Sequence, residues 1–395
     1  VKAKLYLADD TVLSGKAFGA QGETVGDLIF YTGMTGYQEM LTNPANSGKI
    51  LTFTYPLIGN YGLSREDSEA LTPWVQGIIV REYADYASNW RAVSDLDMFM
   101  KKHGIIGISD IDTRMLTRIL RRRGRMKAVL TTYDKTDAEL KERLHADPEP
   151  ADLVARVSTR HVQRIPGTRI GRGSGKRVVI IDYGCKMSIM QALIDRGVDL
   201  VIVPYDTPAS EILDLGPDGV LLSNGPGDPK HLLSTSVPVV QQLLGTVPLF
   251  GIGLGHQVFA LASGADTIRM TSDHRGSQPV KDLLSGRSLI TSQNHEYTVE
   301  PSSLARSGLI VTHLNQHDQS IEGLMHPKHS AFSVQFYPEA SPGSEDCVYL
   351  FDRFLSMIEK YQERPMGKRV NAERQRAAAS GDGDGKHTIL EGAGA

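Results

Sequence analysis

The chain has 395 residues, 40% of them hydrophobic, which is enough for two or three domains with ordinary buried cores. Its formal net charge of −3 points to neither nucleic acid nor an anionic membrane as a partner. Two cysteines, Cys185 and Cys347, leave no basis for a disulfide framework and suit a reducing compartment.

Val1 to Asp10 carries charges every few positions and reads as neither a signal peptide nor a span. No apolar run elsewhere approaches the roughly 18 residues that a span needs. The expectation is a cytoplasmic protein. Residues 1 to about 140 mix short alternating runs with Gly and Pro turns. Lys4 to Ala8, Asp27 to Tyr31 and Gly77 to Val80 read as strands. From Thr113 to Arg123, Met115, Leu116, Ile119 and Leu120 share one helical face, with Asp110 or Asp112 as the cap and Gly124 as the stop. The basic run Arg121 to Lys127 invites a phosphate reading, but a helix C-terminus whose dipole favours cations accounts for it.

Four glycines, Gly167, Gly171, Gly173 and Gly175, sit among basic residues and mark a domain boundary. Beyond it strands and helices alternate. Arg177 to Ile181, Asp199 to Val203 and Gly219 to Ser223 read as buried strands, and Ser188 to Arg196 and Val237 to Leu244 as helices. An apolar run from Pro248 to Ile252 meets a glycine turn and a helix from His256 to Ala262. Val348, Phe351, Leu355 and Ile358 give a last helix over Cys347 to Ile358 a packing face. The order implies a parallel sheet covered on both faces, with its site at the carboxyl ends of the strands. The predicted fold is therefore α/β: a mixed domain over 1–140, a linker over 141–175, and a doubly wound parallel-sheet domain over 176–362. A charged, then Gly- and Ala-rich tail over 363–395 is expected to be disordered.

Pro248-Leu-Phe-Gly-Ile-Gly-Leu-Gly-His-Gln257 has the form of a strand–turn–helix corner that lifts a nucleophile above the sheet. With it stand Gly33-Met-Thr-Gly-Tyr-Gln-Glu39, Leu41-Thr-Asn-Pro44, Thr54-Tyr-Pro56, Gly59-Asn60 and Asp110-Ile-Asp-Thr-Arg114 in the first half. In the second half stand Ser223-Asn-Gly-Pro-Gly-Asp-Pro229, Gln293-Asn-His295 and Ser333-Val-Gln-Phe-Tyr-Pro-Glu-Ala-Ser-Pro342. Together, from about residue 3 to 360, these resemble the small chain of carbamoyl phosphate synthase, a class I glutamine amidotransferase subunit. The resemblance implies a glutamine pocket at Ser47, Gly225, Gly227, Leu254, Gln257, Asn294, Glu296 and Tyr297. Ser47 brings the first domain over that pocket. It also implies a large-chain partner that uses ammonia, bicarbonate and ATP. ATP and its metal ions belong to that partner, and no cofactor or metal is expected in this chain.

The pattern breaks at the chemistry. The family's elbow reads Gly-X-Cys-X-Gly, and here the Cys position is Gly253. Its Phe-His-Pro-Glu motif reads Phe336-Tyr337-Pro338-Glu339, so the general base is replaced by Tyr337 while the orienting Glu339 remains. A phenol with a pKa of about 10 is a poor base at neutral pH. Glu296 stands where the family carries Gly, and a carboxylate there is expected to repel the carboxylate of glutamine. Cys185 lacks an activating partner, and Cys347 reads as packing. His256 and His295 show no metal-ligand spacing, and His313, His317, His326 and His329 read as loop residues. Three readings follow: a small chain without glutaminase activity, a regulatory or scaffold protein that keeps the fold, and an inactivated variant of an ordinary glutaminase.

Overall fold

The computed structural model describes residues 1–147, 152–168 and 175–363. Gly171 and Gly173 of the glycine-rich boundary, and the tail beyond 363, lie outside the described residues. No described helix is long and apolar enough to cross a membrane.

The first domain is built on β1 (Lys2–Leu7), β2 (Val12–Gly19), β3 (Glu23–Tyr31), α1 (Tyr37–Thr42), β4 (Lys49–Phe53), β5 (Leu57–Ile58), β6 (Gly77–Ile79) and β7 (Glu82–Tyr83). It continues through α2 (Leu96–His103), β8 (Ile106–Ser109), α3 (Thr113–Arg123), β9 (Met126–Thr131) and α4 (Asp137–His145). Seven of these strands close a barrel in the order β1-β2-β8-β6-β4-β3-β9, while β5 and β7 pair by themselves. Closure removes the exposed edges that short strands would otherwise present. Leu5, Leu7, Ile50, Ile79, Ile108 and Leu130 form one buried cluster, against which Leu116 and Leu120 of α3 pack. Helix α3 spans the predicted residues, with Asp112 capping Met115 N–H and Gly124 ending it. Leu116 and Leu120 go inward and Ile119 is half-buried, but Met115, expected on the same face, stays exposed with the arginines.

The stretch read as a link contributes structure. It holds the end of α4, then α5 (Leu153–Val157) and β10 (Gln163–Ile165), which pairs antiparallel with the next domain's β12. That domain comprises β11 (Arg177–Asp182), α6 (Met187–Ile194), β12 (Asp199–Pro204), α7 (Ala209–Asp214), β13 (Gly219–Leu222), α8 (Ser236–Leu243), β14 (Leu249–Ile252) and α9 (Leu254–Ala262). Then come β15 (Thr267–Asp282), β16 (Ser288–Val299), α10 (Leu304–Ser307), β17 (Ile310–Asn315), β18 (Ile321–Met325), β19 (Ala331–Val334) and α11 (Tyr349–Gln362). The ten-stranded sheet runs β10-β12-β11-β13-β14-β19-β18-β17-β15-β16, and its β12-β11-β13-β14-β19 core is parallel. Along β11, Val179 and Ile181 join the cluster with α8 and α9, while Val178 and Ile180 join the one with α6 and α11. Burial on both faces is why these strands read as unbroken apolar runs. The antiparallel flank β18-β17-β15-β16 was not expected. Its longest strand, β15, carries Gly276 and Pro279 and a mostly polar sequence that conceals the period of two.

Candidate active site

The elbow forms where β14 ends in the middle of the parallel sheet and α9 begins. Gly253 joins them at φ 59° and ψ −113°, a backbone that side chains rarely adopt. A Cβ built there would lie 3.2 Å from Asn224 Cβ and 3.6 Å from Tyr337 Cε1. Gly253 and Tyr337 therefore face each other across van der Waals contact distance. Gly253, Tyr337, Gly225, Gly227, Leu254, Gln257, Asn294, Glu296 and Tyr297 all line one cleft, together with Ala45, Pro226, Arg275, His295 and Gln335.

The first domain supplies one wall. Asn43 caps the short turn Pro44–Asn46. Its Nδ2 approaches the Tyr337 hydroxyl at 3.5 Å, and Asn294 Nδ2 donates to Asn46 Oδ1 at 2.9 Å. Ser47 is fully buried with an unpartnered hydroxyl; it is not among the lining residues, whereas Ala45 is.

Tyr337 is 5% exposed, and burial raises its pKa, so it is a phenol at neutral pH and not a base. Behind it Lys186 sits 4.4 Å from the ring centroid. Its ammonium is 2.5 Å from Glu339 and 3.2 Å from Glu69, and it donates to the Ser341 carbonyl. Burial disfavours the charged amine, but the two carboxylates more than offset this and raise its pKa. Glu339 pairs with Lys186, although burial raises its own pKa, and its other oxygen has no partner among the described residues.

Imidazoles do not make up the loss. Burial pushes His256 down to about 3 and His295 down to about 4, so both are neutral and weak as bases. His256 Nδ1 is held by Ser333 Oγ at 2.8 Å, and His295 lies 2.9 Å by Nδ1 from Tyr297 O and 2.8 Å by Nε2 from Gln293 Oε1, of which its single N–H can donate to one. Burial also raises the Cys185 thiol well above its ordinary value and pushes Cys347 up to about 12, so neither is a thiolate at neutral pH.

Glu296 behaves differently from the expectation of repulsion. It is 2.5 Å from Lys49, 2.8 Å from Arg269 and 2.8 Å from Arg275. Burial opposes its charge, but Lys49, Arg275 and Arg269 hold the carboxyl well below the usual range. Asp27 at 3.2 Å from Lys49 and Asp273 at 3.1 Å from Arg275 complete an ion cluster that joins the two domains. The charge of Glu296 is met inside the protein and does not stand alone against a ligand.

Comparisons with known proteins agree with this architecture. The family model described as carbamoyl-phosphate synthase small chain, CPSase domain, matches residues 5–130, and that of class-I glutamine amidotransferase matches residues 179–357. The carbamoyl phosphate synthase pyrimidine-specific small chain of Halalkalibacterium halodurans is 50% identical over 93% of this chain and 99% of its own. The chain belongs to the carbamoyl phosphate synthase small-chain family. The small chain of Oceanobacillus iheyensis is 46% identical over 93% of this chain and 99% of its own, and the pyrimidine-specific small chain of Bacillus subtilis 47% over 91% and 96%.

Within this small-chain fold, sequence reasoning missed the charged residues behind the pocket. Lys49, Glu69, Lys186, Arg269 and Arg275 carry no motif of their own, and only the sheet's register and the domain contact bring them together. It also read His313 as a loop residue, whereas His313 is buried in β17 with its pKa pushed to about 4 by burial. His295 meets His274 and Glu322, with one ligand-type atom from each within 4.8 Å of the others. Hydrogen bonds account for much of that cluster: Gln293 Oε1 lies 2.9 Å from His274 Nδ1, and Asp318 lies 2.9 Å from His274 Nε2.

Proposed function

We propose that this chain is the small subunit of a carbamoyl phosphate synthase and hydrolyses no glutamine, so that the assembled enzyme draws on ammonia. The observation that carries the reading is the elbow. Gly253 offers no atom to attack an amide, and the residue facing it is a buried phenol. A nucleophile and its base act as a unit, and losing either usually costs several orders of magnitude in rate. The barrel domain is intact, so partner docking outlasts the lost chemistry. ATP, its metal ions and bicarbonate are handled by the large chain. Two relatives are pyrimidine-specific small chains by name, which favours pyrimidine synthesis as the use of the product.

The test is reconstitution with a carbamoyl phosphate synthase large chain. Carbamoyl phosphate should form with ammonium and not with glutamine, and the isolated chain should release no glutamate above background. Glutamine-supported synthesis abolished by thiol alkylation would overturn the reading and implicate Cys185 or Cys347. Failure of the two chains to co-elute at micromolar concentration would favour a scaffold with another partner.

A further inference from the structure

The arginines of α3 are not explained by the barrel or by the glutamine cleft. Arg114, Arg118 and Arg121, with Arg81, line a groove of ≈ 790 Å³ whose other walls include Thr32, Thr54 and Pro56. On the other side of the helix Arg114, Arg118 and Arg122 border a second groove of ≈ 300 Å³ with Met115 and Ile119. The helix thus stands as a ridge between two grooves, with Arg114 and Arg118 four residues apart on its outer edge. Neighbouring cations have acidic partners: Arg123 with Asp9 at 2.8 Å, Arg125 with Asp27 at 2.7 Å and Lys16 with Asp110 at 2.8 Å. Arg81, Arg114, Arg118 and Arg122 are exposed and have no carboxylate within ion-pair range among the described residues. Among the described residues that line the grooves the one carboxylate, Asp112, is engaged in capping Met115 N–H at 2.9 Å.

We infer that the arginine ridge of α3 is the docking surface for an acidic face of the carbamoyl phosphate synthase large chain; this rests on the small-subunit reading above. An exposed ridge suits a protein surface better than a small phosphate. Small-ligand sites bury most of the ligand among few, fixed polar groups, whereas these guanidinium groups stand in solvent. Arginine and methionine are enriched at protein interfaces, and Met115 is 37% exposed between the arginines. Guanidinium groups without internal partners keep their donors for bidentate contacts to carboxylates across an interface.

The experiment measures the Kd between purified large chain and this chain at low and high potassium chloride, for the parent and for Arg114→Glu/Arg118→Glu. Both positions are exposed, and unchanged thermal unfolding checks that the variant folds. The parent should bind with strong salt dependence, and the double reversal should raise Kd by at least ~30-fold, the scale of an interface hot spot. A parent that binds while the variant stays within about threefold overturns the docking surface and leaves the small-subunit reading standing. If the parent does not bind at all, that reading fails and this one with it. Tripolyphosphate is the second probe: micromolar binding lost in the variant, with large-chain affinity unchanged, would make the ridge an anion site and overturn the inference.

Discussion

Removing the charge of Glu296 should weaken the protein and do nothing to open its pocket. Glu296→Gln leaves the backbone of β16 and most of the side-chain volume in place. It strips the counter-ion from Lys49, Arg275 and Arg269, whose side chains are 6%, 3% and 33% exposed. Breaking a buried ion pair from one side costs about 3–5 kcal/mol, because a desolvated charge is left behind. Here Lys49 keeps Asp27, Arg275 keeps Asp273 and Arg269 regains water, so the lower end applies, about 3 kcal/mol. At ~2–4 °C per kcal/mol for a domain of this size, the melting temperature should fall by ~6–12 °C. Glu296→Gly should fall further by about 1 kcal/mol for the flexible strand residue. Differential scanning fluorimetry of the parent and both variants, repeated in high salt, measures this directly. A Glu296→Gln variant that melts within about 1 °C of the parent would show that the cluster is solvated and that the charge accounting is mistaken.

Four further outcomes follow from the structure. Gly253→Cys alone should give no glutaminase activity and should lose about 1–3 kcal/mol, since φ at 253 is 59° and a Cβ comes 3.2 Å from Asn224 Cβ. Adding Tyr337→His should change activity far more than either substitution alone; additive rates in a glutamate-release assay would contradict the pairing of these positions. Burial raises Glu39 to about 7, above its ordinary 4.5, so the folded chain binds its proton more tightly. That contribution is complete below pH ~4.5 and is lost as pH rises through about 7, a decline on the order of 3 kcal/mol which Glu39→Gln should flatten in urea titrations. Lys186→Met should destabilise by about 3–5 kcal/mol at pH 7.5 and by less at pH 5, because Glu339, whose pKa burial already raises, loses its buried cation and regains neutrality only by protonation. Equal losses at both pH values in chemical denaturation would refute the ion-pair account.

By itself the sequence determined the local chemistry and the parts of the fold that local patterning controls. The bounds of helix α3 were legible because its Leu116–Leu120 stripe, the aspartates before Thr113 and Gly124 are all local signals, while the choice of Asp112 over Asp110 as cap and the exposure of Met115 were not. The parallel strands were legible because burial on both faces leaves unbroken apolar runs, and the elbow because a glycine turn between such a strand and a helix has few alternatives. The absent side chain at Gly253 and the Tyr at 337 are statements of sequence alone. What only the tertiary structure decided is which charges meet. Lys49 and Glu296 are 247 positions apart, and Lys186 and Glu339 are 153 apart; no periodicity predicts such pairs, because they arise from strand register and from the docking of a barrel against a sheet. That is why Glu296 read as a lone repulsive carboxylate in the sequence and proves to be the centre of an ion cluster in the fold. The antiparallel strands β15 to β18 escaped notice for a related reason. Their stability lies in cross-strand partners distant in the chain, while Gly276, Pro279 and the polar residues beside them point locally to a loop.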